Sequence, residues 1–308
     1  MSASFKRLAA IDMGSNSFHL LLAEVSMRGF FPKPRIIARY KHKVRLADGF
    51  NKSLELDAAA IARAKDCLKG FSDQLARFKP DALKVVATAA LRKATNQHAV
   101  LPELEAVLNY PIEVISGERE AALIFSGVCA ASEQKGPMLV IDIGGASTEV
   151  IAGEPLKAKV LNSLDMGCVV FQNNYFDQQT ITRQRFNDAI QQSRSQISGL
   201  KQQYQQVGWQ HVLGASGTFR AVAEIALAEN HAQLTTDWLA VLIERCVAAG
   251  HVQKLDFAGL RDDRRAILCG GLAILMGILT ELQISHFGVT NGALREGLLA
   301  ELVATETA

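Results

Sequence analysis

Two short segments of this chain, about 130 positions apart, repeat one local design. Residues 12–17 read Asp-Met-Gly-Ser-Asn-Ser, and residues 142–147 read Asp-Ile-Gly-Gly-Ala-Ser. Each segment follows one apolar run and precedes another, so each predicts a β-hairpin with an acidic residue before a glycine turn. Glycine lets main-chain N–H groups approach an anion closely, and the serine hydroxyls add donors. The repeat therefore predicts two phosphate-binding hairpins on two related lobes.

The length of the chain also favours two domains. Its 308 residues exceed the size at which a single hydrophobic core keeps growing. Strand patterns alternate with helix patterns along the chain, which indicates an α/β fold. We expect a first domain of residues 1–125, joined by a C-terminal helix of residues 293–308, and a second domain of residues 126–292.

Apolar periodicity and flanking turn residues place the individual elements. Strands are predicted at residues 8–11, 20–25, 35–40, 83–87, 112–115, 138–141, 150–151, 212–213 and 287–289. Helices are predicted at residues 56–78, 116–125, 177–210 and 266–279, with a last helix opened by residues 291–297 and a small-residue turn at 214–218.

Composition limits the kinds of partner that the protein is expected to bind and indicates its cellular compartment. A net charge of +2 gives no reason to expect a nucleic-acid partner, so anion binding has to come from local clusters. The chain has five cysteines without a Cys-x-x-Cys pair, which is typical of reduced thiols in a cytoplasmic protein. The most apolar run, residues 266–279, is shorter than the roughly 18 residues needed to span a bilayer, so we expect a buried helix and no membrane contact.

Asp142 and Glu149 lie on opposite arms of the second predicted hairpin. Their offset across a tight turn can bring both carboxylates to one side. Two hard oxygen ligands beside a phosphate turn suit Mg²⁺, which fills its remaining positions with water and phosphate. The alternative is an ordinary hairpin with a surface glutamate. The second copy of the motif favours the Mg²⁺ site.

Several cations could bind phosphate. Arg92 follows a buried strand, and its guanidinium can donate two hydrogen bonds to phosphate oxygens; alternatively it is a surface residue. Lys41, Lys43 and Arg45 would share one face of an extended strand. That row suits a polyanion, or it protects an edge strand from aggregation.

A glutamate near the start of the helix at residues 116–125 could act as a general base. Glu118 and Glu120 both lie in its first turns, where the helix dipole also stabilises acidic residues for purely structural reasons. Hydrolysis of a phosphoanhydride needs a carboxylate that orients and deprotonates water. Spacing alone does not choose between the two.

Eight motifs together resemble the exopolyphosphatase and guanosine pentaphosphate phosphohydrolase family, and they occur in the family's order between about residue 8 and residue 300. They lie at residues 12–19, 45–49, 90–92, 115–117, 141–145, 166–168, 214–218 and 292–297. The resemblance implies two ribonuclease-H-like domains of the actin, Hsp70 and sugar kinase superfold around an interdomain cleft.

The resemblance also implies roles for individual residues. It selects Glu120 rather than Glu118 as the catalytic glutamate, assigns phosphate binding at the reaction centre to Arg92, and makes Asp142 and Glu149 the metal-associated carboxylates. The turns and the resemblance together give the expected substrate-binding set: Asp12, Gly14, Ser15, Asn16, Ser17, Arg45, Gly144, Gly145, Ala146, Ser147, Gly217 and Thr218.

Three positions depart from the family pattern. Ala146 replaces a loop glycine and should narrow the backbone geometry of the second turn. Arg119 replaces an acidic residue and should bring positive charge near the base. Asn291 replaces an aspartate before the last motif.

We expect a cytoplasmic, Mg²⁺-dependent exopolyphosphatase that releases orthophosphate from a polyphosphate chain end. The enzymatic alternative is removal of the terminal phosphate of guanosine pentaphosphate, and a non-hydrolytic polyphosphate or nucleotide switch is a further one. A row of cations would favour the polymer, and a purine slot near residues 214–218 the nucleotide. Longer family members carry an additional helical domain, and a chain without it should prefer shorter polyphosphates or a nucleotide; a homodimer stays open.

Overall fold

A computed structural model of the chain describes residues 5–26, 34–155 and 157–307. The chain divides into two compact units. Unit 1 comprises Met1–Ala131 together with Gly292–Ala308, and unit 2 comprises Ser132–Asn291. Each unit contains one mixed β-sheet with helices.

Unit 1 is built on a five-stranded sheet in the order β3-β2-β1-β4-β5. The first three strands form an antiparallel meander, and β4 and β5 run parallel to β1. The strands are β1 (Phe5–Met13), β2 (Ser17–Ser26), β3 (Arg35–Lys43), β4 (Ala82–Ala87) and β5 (Glu113–Val114). The helices before the chain enters unit 2 are α1 (Ala58–Phe78), α2 (Ala89–Lys93), α3 (Gln97–Leu108) and α4 (Gly117–Ala131).

One face of this sheet forms the main core of unit 1. Alternate residues of β1 and β2, among them Ile11 and Phe18, pack with apolar residues of α1 and α3. The other face carries the remaining alternate residues, which include Asp12 and His19. Alternation along the strands therefore gives one apolar core face and a second face on which Asp12 and His19 lie among buried apolar residues such as Leu8 and Leu21.

Unit 2 repeats the same strand order with one added edge strand. Its sheet runs β10-β11-β9-β6-β7-β8, with β6, β7 and β8 antiparallel and β9 parallel to β6. The strands are β6 (Met138–Ile143), β7 (Thr148–Glu154), β8 (Lys157–Leu164), β9 (His211–Ala215), β10 (Leu234–Thr235) and β11 (His286–Val289). A three-strand meander followed by parallel strands in both sheets is the expected ribonuclease-H-like topology.

The helices of unit 2 surround a central apolar helix. They are α5 (Cys168–Tyr175), α6 (Arg183–Ser198), α7 (Lys201–Val207), α8 (Ser216–Ala228), α9 (Thr236–Ala249), α10 (Asp262–Arg265) and α11 (Leu268–Leu282). Helix α11 is buried along almost its entire length, as its composition predicts. Within the described ranges, no helix is both long and apolar enough to cross a membrane.

The last helix, α12 (Leu294–Thr307), returns to unit 1 and packs against α4, β1, β2 and β4. Glycines make the contact with α4 very close. A Cβ atom on Gly127 would lie 2.1 Å from the carbonyl oxygen of Ala293, and one on Gly297 would lie 1.9 Å from that of Leu123. The glycines of the last motif therefore bring two helix backbones together.

Several predicted boundaries need correction. The helix predicted over residues 177–210 is two helices, α6 and α7, because the helix ends at Ser198 and Gly199 serves as its C-cap. Helix α4 continues to Ala131 rather than ending near residue 125, and β3 continues to Lys43. The sequence patterns also did not indicate α2, α3, α5, α8, α9, α10, β8 or β10.

Candidate functional site

The first glycine turn joins β1 to β2 at residues 14–16. A Cβ atom on Gly14 would lie 3.0 Å from the carbonyl oxygen of Ser17, which is tight for any side chain. Ser15 and Ser17 are buried, and within the described ranges the hydroxyl of Ser17 has no hydrogen-bond partner. A buried hydroxyl without a partner is costly, so this turn has a donor that a bound anion would satisfy.

A second segment closes over this turn through main-chain contacts. The amide of Arg45 donates to the carbonyl of Asn16 (3.0 Å), and that of Ala47 donates to the carbonyl of Ser15 (2.9 Å). Arg45 has a left-handed backbone with φ of 51° and lies beyond the end of β3. The expected row of three cations on one strand is therefore wrong for Arg45, while Lys41 and Lys43 do share the strand face.

The second hairpin places its two carboxylates directly opposite each other. Asp142 on β6 pairs with Glu149 on β7 in the antiparallel register, so both side chains leave the sheet on the same side. Both are buried, and Glu149 Oε1 accepts a hydrogen bond from the hydroxyl of Ser163 (2.7 Å). The seven-residue offset across the hairpin thus brings the carboxylates together as its pattern predicts.

The turn of this hairpin has the same close backbone contact as the first one, and the residues at the start of α5 pack against it. A Cβ atom on Gly144 would again lie 3.0 Å from a serine carbonyl, that of Ser147. The carbonyl of Gly144 accepts from the amide of Cys168 (2.9 Å), and a Cβ atom on Gly167 would lie only 2.3 Å from the turn backbone. The start of α5 therefore fixes the shape of the second turn.

Ala146 does not distort this turn. Its backbone lies outside the left-handed region, so alanine adopts the conformation without strain. Its side chain is buried beside the turn. The constraint expected from replacing a glycine is therefore absent at this position.

Glu120 and Arg92 form an ion pair within unit 1. Arg92 NH1 lies 3.2 Å from Glu120 Oε2 and 2.8 Å from the carbonyl oxygen of Ile115. Glu120 is only 7% exposed, whereas Glu118 is exposed. Arg92 lies on α2, several residues after β4, rather than at the strand end where we expected it. Burial favours Glu120 over the exposed Glu118 as the candidate general base, and the contact with Arg92 holds its carboxylate in place.

Arg119 points to a different partner. Its NH2 group contacts both carboxylate oxygens of Glu301 on α12 at 2.5 and 2.6 Å, and Lys84 Nζ lies 2.6 Å from the same carboxylate. Burial raises the pKa of Glu301, but the hydrogen bonds from Lys84 and Arg119 outweigh it and lower that pKa overall. The positive charge that we expected near the base is therefore paired with Glu301, which Arg119 shares with Lys84.

The third small-residue turn is occupied by an arginine that the sequence analysis did not identify. A Cβ atom on Gly217 would lie 2.2 Å from the guanidinium of Arg264, so the arginine packs directly on the glycine backbone. Ser216 has a left-handed φ of 70°, and its hydroxyl donates to the carbonyl of Ile143 (2.8 Å). A small cavity of about 10 Å³ is lined by Gly217, Thr218 and Arg264. The guanidinium of Arg264 therefore lies at the turn where the sequence left a purine slot open as an alternative.

The donor set of the second hairpin fits Mg²⁺. The described residues hold no group of three or more His, Cys, Asp or Glu side chains that could bind a metal. Two buried, facing carboxylates beside a glycine turn match the way in which Mg²⁺ uses one or two protein carboxylates and completes its octahedron with water and phosphate.

Curated relatives cover nearly the whole chain. The guanosine-5'-triphosphate,3'-diphosphate pyrophosphatase of Aeromonas hydrophila is 43% identical over 296 residues, which are 96% of this chain and 59% of the relative. The protein of the same name from Vibrio cholerae is 40% identical with the same coverage. The chain thus spans about three fifths of the length of the curated relatives it matches.

Solved structures agree on the fold. The Aquifex aeolicus Ppx/GppA family member superposes with a TM-score of 0.80 at 24% identity, covering 99% of this chain and 100% of the other. An exopolyphosphatase from Cytophaga hutchinsonii superposes with a TM-score of 0.85 at 24% identity, covering 97% and 98%. The profile of the Ppx/GppA phosphatase family matches residues 25–306, and the chain therefore belongs to this family.

Proposed function

We propose that this chain hydrolyses the terminal phosphoanhydride of guanosine pentaphosphate, giving orthophosphate and guanosine tetraphosphate. The names of the relatives at 40–43% identity support this substrate. They favour the nucleotide over inorganic polyphosphate, which the sequence alone ranked first.

The observation that carries the hydrolytic proposal is the ion pair between the buried Glu120 and the partly buried Arg92. An ionised carboxylate with low exposure can hold a water molecule by accepting its hydrogen bond. As the water oxygen attacks the terminal phosphorus, its proton passes to the Glu120 carboxylate. The bond to the bridging oxygen breaks, and the electron pair leaves with the β-phosphate of the product. Arg92 stabilises the charge that develops on the transferred group.

Each glycine turn, taken by itself, supplies phosphate-binding donors in this proposal. Main-chain amides and serine hydroxyls, those of Ser15 and Ser17 in the first turn and of Ser147 in the second, are donors without charge that suit phosphate oxygens. Their positions are fixed before substrate binds, because segment 45–47 and Gly167 support the two turns. Such preorganised donors favour charge development in the transition state.

Asp142 and Glu149 would hold Mg²⁺ in this reaction. When bound there, the ion would neutralise phosphate charge and act as a Lewis acid on the phosphoryl oxygens. Ser163 keeps Glu149 oriented through its 2.7 Å hydrogen bond, so the carboxylate does not have to be reorganised on binding.

Inorganic polyphosphate is the second candidate substrate, on the strength of one observation. Arg39, Lys41 and Lys43 alternate along β3 and therefore share one face of this edge strand. A row of cations at strand spacing suits a flexible polyanion. Arg39 also lies 3.8 Å from Glu296, which reduces the charge available at one end of the row.

Phosphate release distinguishes these hypotheses. Guanosine pentaphosphate and polyphosphates of several lengths should be tested with and without Mg²⁺, using the wild type, Glu120→Gln and Glu118→Gln. We expect Mg²⁺-dependent release that is fastest from the nucleotide, a loss of at least about 100-fold in Glu120→Gln, and near wild-type rates in Glu118→Gln.

Other outcomes would change the assignment. Faster release from polyphosphate would restore the first sequence-based hypothesis. Full activity of Glu120→Gln would remove the proposed base. No release from either substrate, together with measurable binding of guanosine pentaphosphate, would favour a non-hydrolytic nucleotide switch.

A further inference from the structure

A buried arginine from the last helix reaches the first phosphate hairpin. Arg295 is only 7% exposed, and its NH1 group lies 2.6 Å from Nδ1 of His19. Arg295 belongs to α12, and His19 belongs to β2, shortly after the first glycine turn. The contact joins two residues that are 276 positions apart in the sequence.

The chemistry of this contact fixes the state of the histidine. A guanidinium stays protonated and can only donate hydrogen bonds. Nδ1 of His19 must therefore accept, which leaves the single ring proton on Nε2 and makes the imidazole neutral. Protonation of Nδ1 would place an imidazolium cation in contact with the buried guanidinium of Arg295, which is strongly unfavourable.

The strand register places this histidine beside Asp12. His19 pairs directly with Asp12 on β1 and with Lys41 on β3, so the three side chains share one face of the sheet. Lys43 and Arg39 on β3 and Glu296 on α12 lie on the same side. Farther along this face are Lys6 on β1 and Lys84 on β4, which form ion pairs with Glu306 and Glu301 of α12. The surroundings of His19 thus carry more positive than negative charge, which also disfavours an imidazolium.

Two sets of contacts fix the position of helix α12 and therefore of Arg295. The carboxylate of Glu296 accepts a hydrogen bond from the amide of Ala293 (3.1 Å), an arrangement that caps the start of the helix. The close glycine contacts of Gly127 and Gly297 fix the helix against α4. The motif at residues 292–297 therefore has a structural purpose that its sequence did not reveal.

We propose that His19, held as the neutral Nε2–H tautomer by Arg295, is a positioning residue that donates Nε2–H to the carboxylate of Asp12 and orients the first phosphate turn. This inference rests on the proposed hydrolytic function for its kinetic consequence. Its structural part, the state of His19, does not depend on any substrate.

The tautomer can be tested by ¹⁵N NMR of the histidine rings without substrate. In the wild type, His19 should show an unprotonated Nδ1 and a protonated Nε2 from pH 5.5 to 8. In Arg295→Met, where the donor and the charge are removed, His19 should become protonated on both ring nitrogens at a higher pH than in the wild type. His98→Asn is the matched control, because this exposed histidine lies on α3, and it should leave the His19 signals unchanged.

A wild-type His19 that carries its proton on Nδ1, or that titrates like an ordinary histidine, would overturn the proposal. If the Arg295→Met variant does not fold, the same NMR measurement is made on Arg295→Lys. Lysine keeps the charge on a flexible stem, so His19 should stay neutral in that variant.

The positioning role is tested by two substitutions that each keep one ring nitrogen's function. His19→Asn keeps an acceptor near the Nδ1 position, and His19→Gln keeps a donor near the Nε2 position. A hydrogen bond to a charged group is worth roughly a tenfold change in rate or more, so kcat/KM should fall about 10-fold or more in His19→Asn and stay within about threefold in His19→Gln. Equal losses in both variants, or none, would contradict the donor role of Nε2.

These outcomes stay separate from those of the proposed function. If the wild type releases no phosphate from any substrate, the hydrolytic proposal fails while the NMR result still decides the state of His19. If the tautomer is as expected and His19→Asn keeps full activity, the hydrolytic proposal stands and the positioning role is wrong.

Discussion

Arg92 uses one nitrogen to hold two groups at the start of α4. The same NH1 atom lies 2.8 Å from the carbonyl of Ile115 and 3.2 Å from the carboxylate of Glu120. Ile115 immediately precedes the turn that begins α4, and Glu120 lies one turn inside that helix. A single guanidinium therefore fixes both the direction of the helix and the position of its buried glutamate.

Replacing Arg92 should impair catalysis more than replacing a neighbouring residue of the same charge. Arg92→Gln removes the ion pair to Glu120, and we expect kcat/KM for phosphate release to fall about 100-fold, since charge-assisted hydrogen bonds to a reacting centre are among the strongest. Lys93→Gln, at the next position of α2, removes the same charge and should stay within about threefold of the wild type. Similar losses in the two variants would mean that net charge, rather than the Glu120 contact, matters.

The second phosphate turn should be sensitive to one added methyl group beneath it. In Gly167→Ala the new Cβ atom would lie 2.3 Å from the backbone of Gly145 and Ala146, so the turn has to move. We expect at least a tenfold loss of kcat/KM, since displaced donors no longer match the developing charge. Gly199→Ala is the control, because a Cβ atom there meets nothing within 4 Å. Phosphate release and circular dichroism of both variants would show whether activity falls while the fold is kept.

The hairpins and the apolar helix could be predicted because their signals are local. A glycine turn between two apolar runs fixes a hairpin within about 15 residues, and the register of Asp142 and Glu149 follows from the turn. Helix α11 follows from a continuous apolar run. By contrast, the break between α6 and α7 was missed because the apolar spacing continues across Gly199, although the backbone does not.

The supporting residues of the candidate site could not be predicted in this way. Arg264 contacts Gly217, Arg295 contacts His19, and Gly167 contacts the second turn only because the fold brings distant segments together. Nothing in the local sequence around Arg264 marks it out from its charged neighbours. A motif shows which backbone shape a segment adopts, but the side chain that fills a space next to it is chosen by tertiary packing.

A methyl group added at Gly127 should weaken the packing of α4 against α12. In Gly127→Ala the Cβ atom would lie 2.1 Å from the carbonyl of Ala293 and 2.6 Å from the amide of Gly297, both of which are backbone atoms that cannot rotate away. We expect a loss of about 1–3 kcal/mol in the free energy of unfolding, measured by urea denaturation. Gly70→Ala in α1 meets nothing within 4 Å and should instead stabilise the protein by about 0.5–1 kcal/mol. A Gly127→Ala variant as stable as the wild type would show that the two helices separate easily.

The cluster of Lys84, Arg119 and Glu301 should make stability depend on pH in the acidic range. The pKa of Glu301 is lowered overall in the folded chain, because the hydrogen bonds from Lys84 and Arg119 outweigh the effect of burial. A group whose folded pKa lies below its unfolded value stabilises the fold fully above the unfolded value, about 4.3 for glutamate, and loses that contribution as the pH falls through the folded value.

Glu301→Gln should therefore unfold at a lower urea concentration than the wild type at pH 7. Its free energy of unfolding should be lower by about 0.5–1 kcal/mol, as for a partly exposed ion pair, and the difference should shrink below about pH 4. Glu118→Gln serves as the control, since this exposed glutamate lies on the same helix as Arg119. A difference between wild type and Glu301→Gln that is the same at pH 7 and pH 3 would show that the side chain acts through packing rather than through its charge.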